Sequence, residues 1–253
     1  MKMRTVTIED VTIGTGRPKL IVPLVGTTQT DLIKEAEFVS QLPCDIVEWR
    51  IDFYEKVLDF SAVSLFSQTI KTIINKPLLI TFRSKKEGGE RELSTEKYFQ
   101  LYQEIIRTGT CDLVDIELFM PEKEVSETIE LAHKNGIKVI MCNHEFHHTP
   151  PMEEILSRLK KMQDKKADIC KIAVMPNTPS DVLTLLAATE IMTRKYATRP
   201  IITMSMGALG MISRISGELT GSSATFGAAM KASAPGQIPV GELKKMIETL
   251  EFS

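Results

Sequence analysis

The chain has 253 residues, 43% hydrophobic and 25% charged, with a formal net charge of −2. That is the make-up of an ordinary globular protein, long enough for one large core of the size α/β barrels have, so a single domain over residues 1–253 is expected. With no Lys/Arg block or basic tail, the charge balance removes the electrostatic case for nucleic acid or an anionic membrane as partner, and no apolar run reaches the ~18 residues a membrane span needs.

The start of the chain, Met1 to Thr5, leads straight into alternating residues, without the apolar core and cleavage site of a signal peptide. Cys44, Cys111, Cys142 and Cys170 show no CxxC spacing and lie beside or inside apolar runs. They read as reduced thiols of a cytoplasmic protein.

Thr5 to Ile8 and Val11 to Ile13 alternate around Glu9-Asp10 as a short hairpin does. A regular rhythm follows. Strand runs are predicted at 19–26, 45–52, 77–83, 112–118, 138–144, 167–175, 200–207 and 224–227. Helical spacing alternates with them at 31–42, 61–74, 95–107, 122–135, 152–163, 180–196, 208–215 and 240–250, and Gly136 is placed as a C-terminal cap. Strand then helix, eight times in succession with parallel-type apolar strands, predicts an α/β fold of the (β/α)8 TIM-barrel kind with an N-terminal β-hairpin. The competing open doubly wound sheet lacks a glycine-rich fingerprint after any early strand.

The run Ala167–Met175 carries the most telling residue. Read as a strand, it puts Cys170, Ile172 and Val174 on one face and Ile169, Lys171, Ala173 and Met175 on the other. An ammonium thus lies inside a run apolar on both faces, as parallel strands are. A structural lysine paired to an internal carboxylate is one reading. The other is an amine desolvated until it can attack a carbonyl. The same parity turns Glu48, Arg50 and Asp52 inward on one strand and Leu113, Asp115 and Glu117 on another, while Arg83 and His144 end two more. Acids, bases and an amine gathered on one interior face favour the second reading, because barrel chemistry sits at the C-terminal strand ends.

His144-Glu145-Phe146-His147-His148 matches H-E-x-x-H, but that zinc motif needs a helix. Here a β-patterned run enters it and Thr149-Pro150-Pro151 leaves it. No metal is expected. His144, at a strand end, suits general acid/base work, against the alternative of a histidine satisfied by backbone hydrogen bonds. His133, His147 and His148 read as surface or loop residues. Glu87, in the loop after the third barrel strand, is placed to orient a histidine, although such a loop is commonly just solvated. Residues 232–237, small and hinge-like, read as either a mobile lid or an ordinary turn. Met204 and Met206 read as core or pocket wall.

From Pro23 to Gln237 the chain resembles the type I 3-dehydroquinate dehydratases. The resemblance rests on Glu48-Trp49-Arg50, Thr81-Phe82-Arg83, Lys86-Glu87-Gly88-Gly89, Val114-Asp115-Ile116-Glu117, His144-Glu145-Phe146-His147, Lys171 to Pro176, Ser213-Arg214 and Ser233 to Gln237. It implies that Lys171 forms an imine with the ketone of 3-dehydroquinate, that His144 shuttles protons and that Glu87 orients His144. Substrate binding would fall to Glu48, Arg50, Arg83, Arg214, Ser233 and Gln237, with Arg214 clamping the carboxylate. Glu145 stands where the family usually has Asp, which puts the surroundings of His144 in question. The resemblance further implies a hydro-lyase of the shikimate pathway and a homodimer. The imine chemistry requires no metal or organic cofactor. A class I aldolase for another keto acid and a non-catalytic ligand-binding barrel are the other readings of such a barrel.

Overall fold

A computed structural model describes residues 4–251. Met1 to Met3, part of the no-leader reading, lie outside it. The chain opens with an antiparallel hairpin of β1 (Val6–Ile8) and β2 (Val11–Ile13), turned at Glu9 with a φ of 52°. Then strand and helix alternate through β3 (Lys19–Leu24), α1 (Gln29–Ser40), β4 (Ile46–Arg50), α2 (Phe60–Ile74), β5 (Leu78–Thr81), α3 (Thr95–Thr108), β6 (Leu113–Glu117) and α4 (Glu122–Lys134). The second half holds β7 (Lys138–Glu145), α5 (Met152–Asp164), β8 (Ile169–Val174), α6 (Pro179–Ile191) and β9 (Ile201–Ser205). Two short helices, α7 (Ile212–Ile215) and α8 (Gly217–Thr220), precede β10 (Ala224–Ala228), a two-residue β11 (Ile238–Pro239) and α9 (Val240–Thr249).

From β3 to β9 successive strands pair in parallel, and β10 pairs in parallel with β3. Between β9 and β10 the closure is thinner. It rests on a bridge from Ile201 to Ser222, with Ser223 N–H donating to the Ile201 carbonyl at 2.7 Å. The result is the TIM barrel that the alternation predicts. Two departures concern helices. The predicted 208–215 helix breaks into a 3₁₀ turn at Leu209–Met211, α7 and α8. The predicted 180–196 helix loosens into a π-type segment at Met192–Tyr196.

Strand parity divides the core in two. Val47, Trp49, Ile51, Cys170, Ile172 and Val174 face the helices in one cluster. Ile21, Ile46, Leu79, Leu113, Ile140, Ile169 and Ile202 fill the barrel interior, joined by Val6, Ile8 and Ile13 of the hairpin. The hairpin therefore plugs the N-terminal end with apolar side chains, each contributing about 1.5–3 kcal/mol by full burial. Charged interior residues are left to the other end.

At that end β5 and β6 separate, their register stopping at Thr81 and Asp115. Two tyrosines of α3 take over the freed backbone groups. The Tyr102 hydroxyl accepts from Phe82 N–H at 3.0 Å and donates to the Asp115 carbonyl, and the Tyr98 hydroxyl accepts from Glu117 N–H at 3.2 Å. Both rings are buried. Tyr102→Phe leaves a buried donor and acceptor unpaired, so a loss of about 1–3 kcal/mol is expected in urea unfolding. An unchanged midpoint would show that the hydroxyl does not splice the two strands.

Candidate active site

The C-terminal mouth of the barrel holds a pocket with about 460 Å³ of empty space, open solvent included. Glu48, Arg50, Arg83, Glu87, His144, Lys171, Ser233 and Gln237 all line it, with Phe146, Met204, Met206 and Phe226 as apolar wall. Of the predicted site residues only Arg214 is missing from the lining.

Lys171 is buried on the inner face of β8, its Nζ 3.0 Å from Asp115 Oδ2 and 4.6 Å from the centre of the Phe226 ring. Both sequence readings thus describe it. It has an internal carboxylate partner, and it faces a cavity.

Asp115 is fully buried and takes two further donors on Oδ1, Arg83 Nη2 at 2.6 Å and the Cys142 thiol at 2.8 Å. Burial alone would raise its carboxyl, but Arg83 and Lys171 more than offset that and hold it well below the usual range. Arg83 is tied by acids, to Asp115, to Glu117 at 3.0 Å and to Glu87 at 3.6 Å. Its committed guanidinium makes it a brace for the acids. Arg50 grips Asp52 with two parallel 2.8 Å hydrogen bonds, the fork geometry a guanidinium favours, and Glu48 accepts from Thr81 Oγ1 at 2.8 Å.

Glu87 sits on a 3₁₀ turn, Lys85–Glu87, capped by Ser84. Glu117 holds the turn's base through Ser84 N–H at 2.8 Å and Ser84 Oγ at 2.7 Å. Gly89 is obligatory behind it, because a Cβ there would lie 1.9 Å from the Arg83 carbonyl oxygen. Glu87 Oε2 accepts from His144 N–H at 3.0 Å and meets His144 Nδ1 at 2.9 Å. Burial pushes the Glu87 carboxyl up to about 8, with Glu117 adding to the effect and Arg83 opposing it. Burial, with Arg83 and Lys171, pushes His144 well below its ordinary value, so the imidazole rests neutral.

β7 runs straight through His144 and Glu145, so the H-E-x-x-H helix is absent, as predicted. Glu87, Cys142 and His144 do bring ligand-type atoms within 4.8 Å of one another. Each is already engaged, however, and burial pushes the Cys142 thiol far up, away from the thiolate a metal takes. The donor set fits a hydrogen-bonded acid/base pair better than a metal centre.

Arg214 lies behind the wall, buried, with Nη2 donating to the Pro235 carbonyl at 2.9 Å and Nε without a partner. Burial lowers its guanidinium to about 10. Ser233 and Gln237 bond each other, through Ser233 N–H to Gln237 Oε1 at 2.8 Å and Gln237 Nε2 to Ser233 Oγ at 3.1 Å. Sequence reasoning missed Cys142 as a partner of Asp115, although the inward parity of β7 would have found it. It also missed Asn143 and Arg158, taken up below.

The type I 3-dehydroquinase family model matches residues 20–252. The 3-dehydroquinate dehydratase of Enterococcus faecalis is 52% identical over 250 residues, covering 98% of this chain and 99% of its own. That of Salmonella agona is 51% identical over 249 residues, covering 98% and 99%. A type I 3-dehydroquinate dehydratase from Clostridium difficile, solved with covalent modified comenic acid, superposes with a TM-score of 0.96 at 48% identity, covering 98% of each chain. The orotidine 5'-monophosphate decarboxylase of Methanocaldococcus jannaschii, at 19% identity and a TM-score of 0.60, shares the fold alone. The chain belongs to the type I 3-dehydroquinase family.

Proposed function

We propose that this chain is a single-domain 3-dehydroquinate dehydratase, a hydro-lyase of the shikimate pathway that works through an imine on Lys171. The observation that carries the proposal is one cavity holding a buried lysine on a carboxylate and a neutral histidine on another carboxylate.

Lys171 Nζ gives up a proton to His144 and adds as the free amine to the ketone carbon, and the carbinolamine, its hydroxyl protonated by the same imidazole, loses water to an iminium. The nitrogen carries one positive charge as ammonium and again as iminium, so Asp115 compensates it before and after the addition. A proton alpha to a ketone is too weakly acidic for imidazole to remove unaided. Alpha to an iminium it can leave, because its electron pair flows to nitrogen as an enamine. With Glu87 ionised and accepting from Nδ1–H, Nε2 of His144 is bare and can take that proton. The enamine then expels the hydroxyl, protonated by the same imidazole, in a syn elimination. Hydrolysis of the product iminium restores Lys171, for a net loss of one water. Glu48, Arg50 and Arg83 meet the ring's polar groups, and Ser233 and Gln237 close from the last loop.

Arg214 supplies the cation for the substrate carboxylate. It is buried, has no acidic partner among the described residues, and donates to the Pro235 carbonyl of the last loop. Engagement therefore requires that loop to shift. The resemblance also brings a homodimer and a cytoplasmic location into the proposal. Among the described residues no helix is long and apolar enough to cross a membrane. Light scattering at the mass of one 28.3 kDa chain would remove the homodimer.

Mixed with 3-dehydroquinate, the protein should develop the ultraviolet absorbance of a conjugated enone, and Lys171→Ala should abolish it. Retro-aldol products without that absorbance would favour an aldolase instead. Arg214→Ala removes one charge-assisted contact, so KM should rise about 10- to 100-fold with a smaller change in kcat. An unchanged KM would place the carboxylate elsewhere.

A further inference from the structure

We infer that Arg158, on the helix α5 outside the barrel, is a positioning residue for the Glu87–His144 pair, acting through Asn143. The inference rests on the acid/base reading of His144 given above.

Four hydrogen bonds make the chain. Arg158 Nη1 donates to Asn143 Oδ1 at 2.5 Å, Asn143 Nδ2 donates to Glu87 Oε1 at 3.3 Å, and Glu87 Oε2 faces His144 N–H and Nδ1. A carboxamide is nearly symmetric in shape, so nothing steric tells Asn143 which end to present to Glu87. A guanidinium is donor-only. By claiming the amide oxygen, Arg158 forces the amide N–H toward the carboxylate. Arg158 is itself fixed, through Glu145 Oε1 at 2.7 Å, Glu154 one helical turn back, and the Phe119 ring 5.2 Å away. Glu145, the residue that departs from the family's usual Asp, thus spans to the guanidinium rather than to His144.

The orientation matters because the pair is base-competent only when Glu87 is ionised and accepts Nδ1–H. Were Glu87 protonated, it would donate to Nδ1 and leave the imidazole proton on Nε2, facing the substrate. Around Glu87 stand Arg83 beyond β5, Asp115 and Glu117 on β6, and Cys142 and His144 on β7; Lys171 on β8 and Arg50 on β4 act on His144. The acids outnumber Arg83, and the Asn143 N–H is one of the contacts favouring the carboxylate. If Asn143 turned, that donor would be lost and an oxygen could face the carboxylate, so Glu87 would hold its proton to higher pH.

The test is the pH dependence of kcat for the full-length enzyme with 3-dehydroquinate. The wild-type rate should fall as Glu87 protonates. In Arg158→Met that acid limb should move up by about 0.5–1 pH unit, costing about 3- to 10-fold in kcat at neutral pH while KM and the alkaline plateau hold. Asn143→Ala should give the same shift, the double variant no more, and Arg158→Lys, which keeps a donor for Oδ1, a profile close to wild type. Arg158→Met with the wild-type limb, or with only a lower Tm, overturns the inference. His144→Ala run alongside separates the two readings. If it turns over normally, the acid/base assignment fails. If it is inactive while Arg158→Met keeps the wild-type limb, only the role of Arg158 fails.

Discussion

An ammonium sealed in the wall of an apolar barrel has to be compensated, and the rest of this site follows from how that is done. Lys171 leans on Asp115, and Asp115 in turn takes Arg83 and the Cys142 thiol on its other oxygen. Arg83 would be over-cationic beside a lysine, so Glu117 and Glu87 balance it. Within this network each buried charge thus has a partner of opposite sign, which is the condition for tolerating it. The network also separates two functions. Asp115 sits at the lysine nitrogen and Glu87 at the histidine ring, and the proposed mechanism gives the first to charge compensation and the second to proton placement.

The fold exists to keep this network dry and in register. The hairpin and a layer of isoleucines and leucines fill the N-terminal end, and the polar residues line the pocket at the mouth. Where β5 and β6 part to admit Arg83 and Glu117, hydroxyls of Tyr98 and Tyr102 satisfy the backbone that the sheet abandons. Three peptide groups at the opening that creates the cavity are thereby paired.

Much of this was legible in the sequence because strand periodicity carries side-chain direction. Counting by two from Trp49 or Cys170 assigns Glu48, Arg50 and Lys171 to the interior before any coordinates, and the structure agrees. Asp115 was visible as an inward acid, but its partnership with Lys171 was not, because parity fixes direction and not which strands meet across the barrel. Arg214 follows a segment with no strand parity, and it lies behind the cavity wall instead of in it. Arg158 gave no signal at all. On an amphipathic helix an arginine reads as solvated surface, and only the packing of α5 beside Asn143 shows otherwise.

The central claim is that Lys171 becomes covalently joined to the substrate through its side-chain nitrogen. Reducing the enzyme with borohydride while it turns over 3-dehydroquinate, then mapping its peptides by mass, tests this most directly. The account expects one added ligand per chain, confined to the peptide containing Lys171. A ligand reduced onto any other lysine, or no adduct during active turnover, would contradict it.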